Sequence, residues 1–203
     1  MKKELVVAVY DRNSDWTTLL NADVQITKYN KNVDTLTDGE ILLEPNVGRD
    51  VHTFFYHIVK NYNTLADYTF FSQDYPFDHV ENYIEIINSN PAIWDINAKQ
   101  CINHCWFFNT ATDIIKTNKN GEPHHPGLDI TSIWDELFDM KFPYEIYFTP
   151  AGHFCIAKET ILLRPKRFYK KILKILETDT ASPWIIERLE PYIFNNTYWI
   201  IEL

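Results

Sequence analysis

At 203 residues, 45% hydrophobic and 23% charged, with only five glycines and ten prolines, the chain has the make-up of one folded domain over 1–203 and leaves little room for a disordered tail. Nineteen basic against 28 acidic residues give a formal net charge of −9. That charge opposes the long-range pull of polyanions and argues against nucleic acid as a partner, but not against one small anion held by cations within a Debye length of about 8–10 Å. Three cysteines, and no uncharged apolar run near the roughly 20 residues that cross a bilayer, predict a reduced, cytoplasmic protein with no transmembrane segment, soluble or at most peripheral to a membrane.

The first apolar run, Leu5 to Tyr10, is rich in valine and reads as a strand buried on both faces, as in a parallel sheet. A polar loop then leads into a short helix, Trp16 to Leu20, with Ser14 or Asp15 placed to cap it. Val24 to Tyr29 reads as a second strand, Asn30 to Gly39 as turns, and Glu40 to Leu43 as a third short strand. Val51 to Tyr62 is the clearest helix, because Phe54, Phe55, Ile58 and Val59 recur at helical spacing. A fourth strand, Tyr68 to Phe71, runs into a polar turn, and a helix from about Val80 to Asn88 follows.

The stretch Pro91 to Asp129 is the least legible, with Cys101 to Phe108 as one strand candidate inside what reads as a long functional or subdomain loop. Beyond it, Trp134 to Phe138 reads as a short helix, Ile146 to Phe148 and His153 to Ala157 as strands, and Lys158 to Leu162 as a helical turn. Pro165 suits the first turn of a helix that reaches Leu176 with a strongly basic face, and Ser182-Pro183 opens a last helix through about Phe194. Strands alternating with helices predict an α/β fold: a three-layer sandwich with a mostly parallel central sheet flanked by helices.

Open α/β sheets take ligands beyond the carboxyl ends of their strands, so the loops after Tyr10 and Phe71 are where chemistry is expected. Asn46-Val47-Gly48-Arg49-Asp50 puts a glycine and an arginine at a helix start, where free N–H groups favour an anion such as a diphosphate. The alternative is that Asn46 caps the helix and Gly48 relieves a turn. Gln73, Asp74, Asp78 and His79 offer carboxylates and an imidazole at a strand end, which suits a hard divalent ion; alternatively Asp78 caps the next helix and Asp74 is a solvated turn residue. Glu187 lies among apolar residues, either as a general base of raised pKa or as the partner of Arg164, Arg167 or Arg188.

Zinc held by Cys101, His104, Cys105, His124, His125 and Cys155 has the wrong spacing for a ribbon or finger, and the cysteines read better as small apolar residues. Thirty-one aromatic residues exceed what a core of this size needs, and Trp94, Trp106 and Trp134 are the first candidates to stack on a sugar face.

Four motifs together resemble domain-of-unknown-function family 3431: Pro45-Asn46-Val47-Gly48-Arg49-Asp50 with His52-Thr53; His57-Ile58-Val59 with Asn61-Tyr62; Pro76-Phe77-Asp78-His79; and Arg164-Pro165 with Phe168-Tyr169. The motifs run from Pro45 to Tyr169, and the resemblance reaches over roughly residues 5–194. That family is similar to compact GT-A glycosyltransferases, so the resemblance implies a GT-A-like, Rossmann-like sheet with a nucleotide-sugar donor over the first strand ends. It implies Tyr10 and Asp11 on the nucleotide, and Asn46, Gly48 and Arg49 on its base, ribose or phosphates. Asp50, Gln73, His79 and His153 would be in reach of the donor, and Asp74 and Asp78 would hold a divalent metal, manganese above all. Glu187 or Asp78 would be the catalytic base that takes the proton of a glycan or other hydroxyl acceptor. The chain departs from the family pattern at Asp74, where glycine is usual, and at Ala151-Gly152-His153-Phe154, where Gly-Ala-Gln-Phe is usual. Two other functions fit the same residues: a metal-dependent hydrolase of phosphate or sugar esters using Asp11, Asp74, Asp78, His79 and His153, and a non-catalytic carbohydrate-binding module.

Overall fold

A computed structural model of the chain describes residues 1–109, 115–118, 125–143, 145–150 and 152–195. Its centre is a seven-stranded sheet in the order β3-β2-β1-β4-β9-β6-β5. The strands are β1 (Lys3–Val9), β2 (Val24–Asn30), β3 (Ile41–Leu42), β4 (Tyr68–Gln73), β5 (Cys101–Ile102), β6 (Cys105–Phe107) and β9 (Phe154–Ala157). β3, β2, β1 and β4 are parallel, with Leu5 opposite both Ile26 and Phe70, whereas β9, β6 and β5 join antiparallel. A second, two-stranded sheet pairs β7 (Ile115–Asn118) with β8 (Glu145–Phe148).

Burial alternates across the sheet, as period-two side chains require. Val6, Ala8, Phe71, Phe154 and Ile156 face one apolar cluster, shared with α1 (Arg49–Asn61), α3 (Ile130–Leu137), α5 (Lys166–Thr178) and α6 (Ser182–Ile193). Leu5, Val7, Val9, Phe70 and Cys155 face the other, with Trp16 of a 3-10 turn (Asp15–Leu19) and Tyr83 and Ile87 of α2 (Tyr83–Asn88). With both faces covered, β1 is buried along its whole length, which is why its sequence is a continuous apolar run. α4 (Lys158–Leu162) turns the chain from β9 into α5.

Several expectations change. The stretch 91–129 is not one loop, because it supplies β5 and β6 to the edge of the main sheet and β7 to the small one. α3 begins at Ile130, four residues earlier than read, since Asp129 caps it by accepting from the Ser132 N–H. Trp134 is fully buried in one apolar cluster, and Trp94 packs against the other and edge-on against Phe70 and the nearly buried Trp106; these rings pack within the protein rather than forming a sugar platform. Cys105 and Cys155 are buried in clusters on opposite faces of the sheet, so they cannot share an ion. Residue 124 of the zinc set, and residue 151, lie outside the described residues.

Two motifs serve the fold. His57 bridges the buried Glu4, the Tyr29 hydroxyl and the Asn61 amide at the amino-terminal end of β1. Arg164 donates to the carbonyls of Tyr192, Ile193 and Asn195, capping α6.

Candidate functional site

The chain runs outward through β1, β2 and β3, then returns through α1 to lay β4 on the other side of β1. The strand order therefore reverses between β1 and β4, and a crevice opens beyond their carboxyl ends at such a point. A cleft of about 340 Å³ lies there, lined by Ala8, Val9, Tyr10 and Asp11 after β1, Lys31 after β2, Asn46, Arg49 and Asp50 at the start of α1, and Gln73 and Asp74 after β4. Seven residues singled out from the sequence (Tyr10, Asp11, Asn46, Arg49, Asp50, Gln73 and Asp74) thus share one cavity.

The helix start is shaped by Gly48 (φ +63°) and Arg49 (φ +53°), two successive left-handed residues. Gly48 itself does not line the cleft; a Cβ there would sit 2.6 Å from His52 Cβ and 3.1 Å from Leu176. The Lys31 ammonium donates to the carbonyls of Val47 and Arg49 and so pins this turn from below. Burial lowers the Lys31 pKa to about 8, against the opposing pull of Asp50. At neutral pH it remains a cation in the cleft wall.

Two of the three cleft carboxylates, Asp74 and Asp50, have internal partners. Asp74 is 8% exposed, and its Oδ2 accepts from the backbone N–H groups of Tyr10 (3.2 Å), Asp11 (3.3 Å) and Arg12 (3.0 Å), clamping the loop after β1. Trp16 Nε1 donates to the Asp74 carbonyl at 2.7 Å. Asp50 Oδ2 accepts from Gln73 Nε2 at 2.7 Å, and Gly152 packs so closely that a Cβ on it would meet that same oxygen at 3.2 Å. Arg49, in contrast, lies over the Trp184 ring at 5.5 Å and forms no ion pair among the described residues.

Two of the three cleft carboxylates each have an oxygen engaged within the protein, and no group of three His, Cys, Asp or Glu is gathered among the described residues. Asp78 lies outside the cleft lining, exposed and paired with Arg12 at 2.6 Å; that hydrogen bond holds its carboxyl below the usual range. His153 is fully buried behind the sheet, its ring 5.7 Å from that of the half-buried His79, and neither lines the cleft. Burial first, then His79, lowers the His153 pKa to about 3, so it is neutral. Glu187 is half-buried on α6 with Arg188 at 3.8 Å, which is one of the pairings read from the sequence.

Two residues escaped that reading. Lys31 closes β2 where only turn residues were seen. Glu190, one helical turn beyond Glu187, is 1% exposed, and its Oε1 has no hydrogen-bond partner among the described residues. Burial, then the charges of Glu187 and Asp50, raises its pKa well above 4.5, which favours the protonated form. The available signal was position: Glu190 falls on the same helical face as Ile186 and Ile193, three or four residues away.

Fold and site together define a mixed α/β protein whose mostly parallel sheet carries a polar, cation-bearing cleft at the strand carboxyl ends. The chain belongs to the family described as "Protein of unknown function (DUF3431)", whose model matches residues 5–200. No curated protein and no solved structure matches it.

Proposed function

We propose that the cleft binds a nucleoside diphosphate sugar and that the protein is a GT-A-like glycosyltransferase passing the sugar to a hydroxyl acceptor. One observation carries this reading: of the three carboxylates lining the cleft, Asp50 and Asp74 are bonded internally, while Arg49, with Lys31 behind it, presents cationic charge to a cavity at the strand-order reversal. An anion is the complement of that arrangement. Tyr10, 49% exposed at the mouth, is an open ring for a base or sugar face.

In the transfer, the acceptor oxygen bonds to the anomeric carbon, the bond from that carbon to the diphosphate oxygen breaks, and the acceptor proton passes to a carboxylate. Arg49 and Lys31 stabilise the departing diphosphate, the charge-stabilising role that most lowers such barriers. Asp50, which lines the cavity, is better placed to take the proton than Asp78, whose charge is spent on Arg12. Glu187 on α6 is the second candidate. No step runs through a metal; manganese enters as one arm of the test.

A thermal-shift panel of uridine and guanosine diphosphate sugars, with and without manganese, decides it. Ligand at about 100 times its Kd stabilises by about 2.7 kcal/mol, a rise in Tm of roughly 5–10 °C for a domain of this size. No shift with any nucleotide defeats the proposal. A shift without sugar transfer to any acceptor leaves a nucleotide-sugar binder and defeats the enzymatic part.

A further inference from the structure

We infer that the outer face of α5, with Leu162 and Leu163, docks the protein on an anionic lipid bilayer. Between Glu159 and Glu177 the chain has no acidic residue, yet it carries Arg164, Lys166, Arg167, Lys170, Lys171 and Lys174, six of the 19 basic residues of a protein with net charge −9. Such local excess is what a surface contact uses, since charges beyond a Debye length are screened.

The fold sorts these six. Arg164 turns inward to cap α6, and Lys171 is held by Glu136, donating to its carbonyl at 2.7 Å. Lys166, Arg167, Lys170 and Lys174 remain, within about 100° of the helix circumference. The opposite face, Phe168, Tyr169, Ile172, Leu173, Ile175 and Leu176, is buried against the rest of the molecule, while Arg167, Lys170 and Lys174 are exposed and Lys166 is half-buried. Where α4 leads into α5, Leu162 and Leu163 are 42% and 49% exposed. Exposed leucines three and four residues before the first of these cations suit a headgroup layer with acyl chains beneath it.

A nucleic acid fits worse. Its backbone offers nothing to the leucines, and a long polyanion would meet the acidic remainder of the surface, whereas a flat bilayer meets one face. The docking helix also ends beside the cleft: a Cβ at Gly48 would lie 3.1 Å from the Leu176 carbonyl oxygen. Docking is a claim about where the protein sits, and its test reads no nucleotide.

The test is co-sedimentation of the full chain with phosphatidylcholine vesicles, either pure or containing about one-third phosphatidylglycerol, at about 0.1 M and about 0.5 M salt. The expected result is binding to anionic vesicles at low salt, little at high salt, and little to neutral vesicles. Two variants separate the contributions: Lys166→Glu, Arg167→Glu, Lys170→Glu and Lys174→Glu together, and Leu162→Ser with Leu163→Ser. The first should reduce binding about tenfold or more, and the second should weaken it while keeping its salt dependence. Should the fourfold variant fail to melt like the parent, Lys170→Glu alone and the salt series on the parent protein carry the test. Absence of binding, equal binding by the charge-reversed variant, or suppression by an equal charge of double-stranded DNA would each overturn the inference.

Discussion

Asp74 is a carboxylate of the right reach to accept three consecutive backbone N–H groups, those of Tyr10, Asp11 and Arg12. That makes it the latch of the loop after β1, and only through the loop a contributor to the cleft. Asp74→Ala leaves three part-buried donors without their acceptor and should cost about 2–3 kcal/mol, with a Tm lower by roughly 4–10 °C. Asp74→Asn keeps one carbonyl oxygen and should lose about half as much. Thermal melts of both variants check this, and an alanine variant as stable as the parent would refute the latch. At this scale much of the site was legible. Strand ends and helix starts attract polar residues that an apolar pattern leaves conspicuous, so Asn46, Arg49, Asp50, Gln73 and Asp74 stood out. Lys31 and Glu190 did not, because each is one polar residue whose burial is decided by distant chain.

The element that shapes the cleft is the turn into α1. Gly48 has a left-handed backbone, and its missing side chain is what lets α5 approach, with Leu176 against it. Gly48→Ala meets His52 Cβ, which belongs to the helix itself and has no rotamer to yield. We expect a loss of about 2–4 kcal/mol in denaturant unfolding, the sum of backbone strain and overpacking. A change under about 0.5 kcal/mol would show that α5 can retreat freely. Elements with a strong period were readable for the same reason that they are stable: α1, α5 and β1 bury continuous faces. β5 and β6, of two and three residues, carry no period at all and exist because β9 offers β6 an edge to pair with and β6 in turn offers one to β5. Their cysteine and tryptophan residues were read as a strand candidate, but their place in the sheet depended on a partner some 50 residues on.

Across the whole molecule the buried ionisable groups set the response to pH. Glu190 keeps its proton in the fold but loses it in the unfolded chain above about pH 4.5, so it lowers stability as pH rises from there toward its folded value. His52 and His153 stay neutral in the fold down to about pH 4 and about pH 3. Unfolded histidines protonate below about pH 6.5, so these two lower stability as pH falls from that point. Near pH 5 the two histidines outweigh one glutamate; above about pH 6.5, as the unfolded histidines lose their protons, Glu190 comes to dominate until its own folded pKa is reached. Stability should therefore peak at about pH 6.5, each group contributing up to about 1.4 kcal/mol per pH unit within its window. Lys31 adds a rise only above about pH 8, where the fold has released its proton and the unfolded chain has not. Urea unfolding at pH 5, 6, 7 and 8 tests this, and Glu190→Gln should flatten the fall above about pH 6.5. A profile that climbs steadily to pH 8, or a Glu190→Gln profile parallel to the parent's, would contradict it.

The central claim is that the cavity between β1, β4 and α1 is an anion site governed by Arg49. Its most direct test is calorimetric titration of uridine or guanosine diphosphate into the parent protein and into Arg49→Ala, both shown to melt alike. Removing one charge-assisted pair of hydrogen bonds should weaken binding about tenfold or more. Binding to the parent with that loss is the predicted result; no measurable binding to the parent, or equal binding by Arg49→Ala, would contradict it.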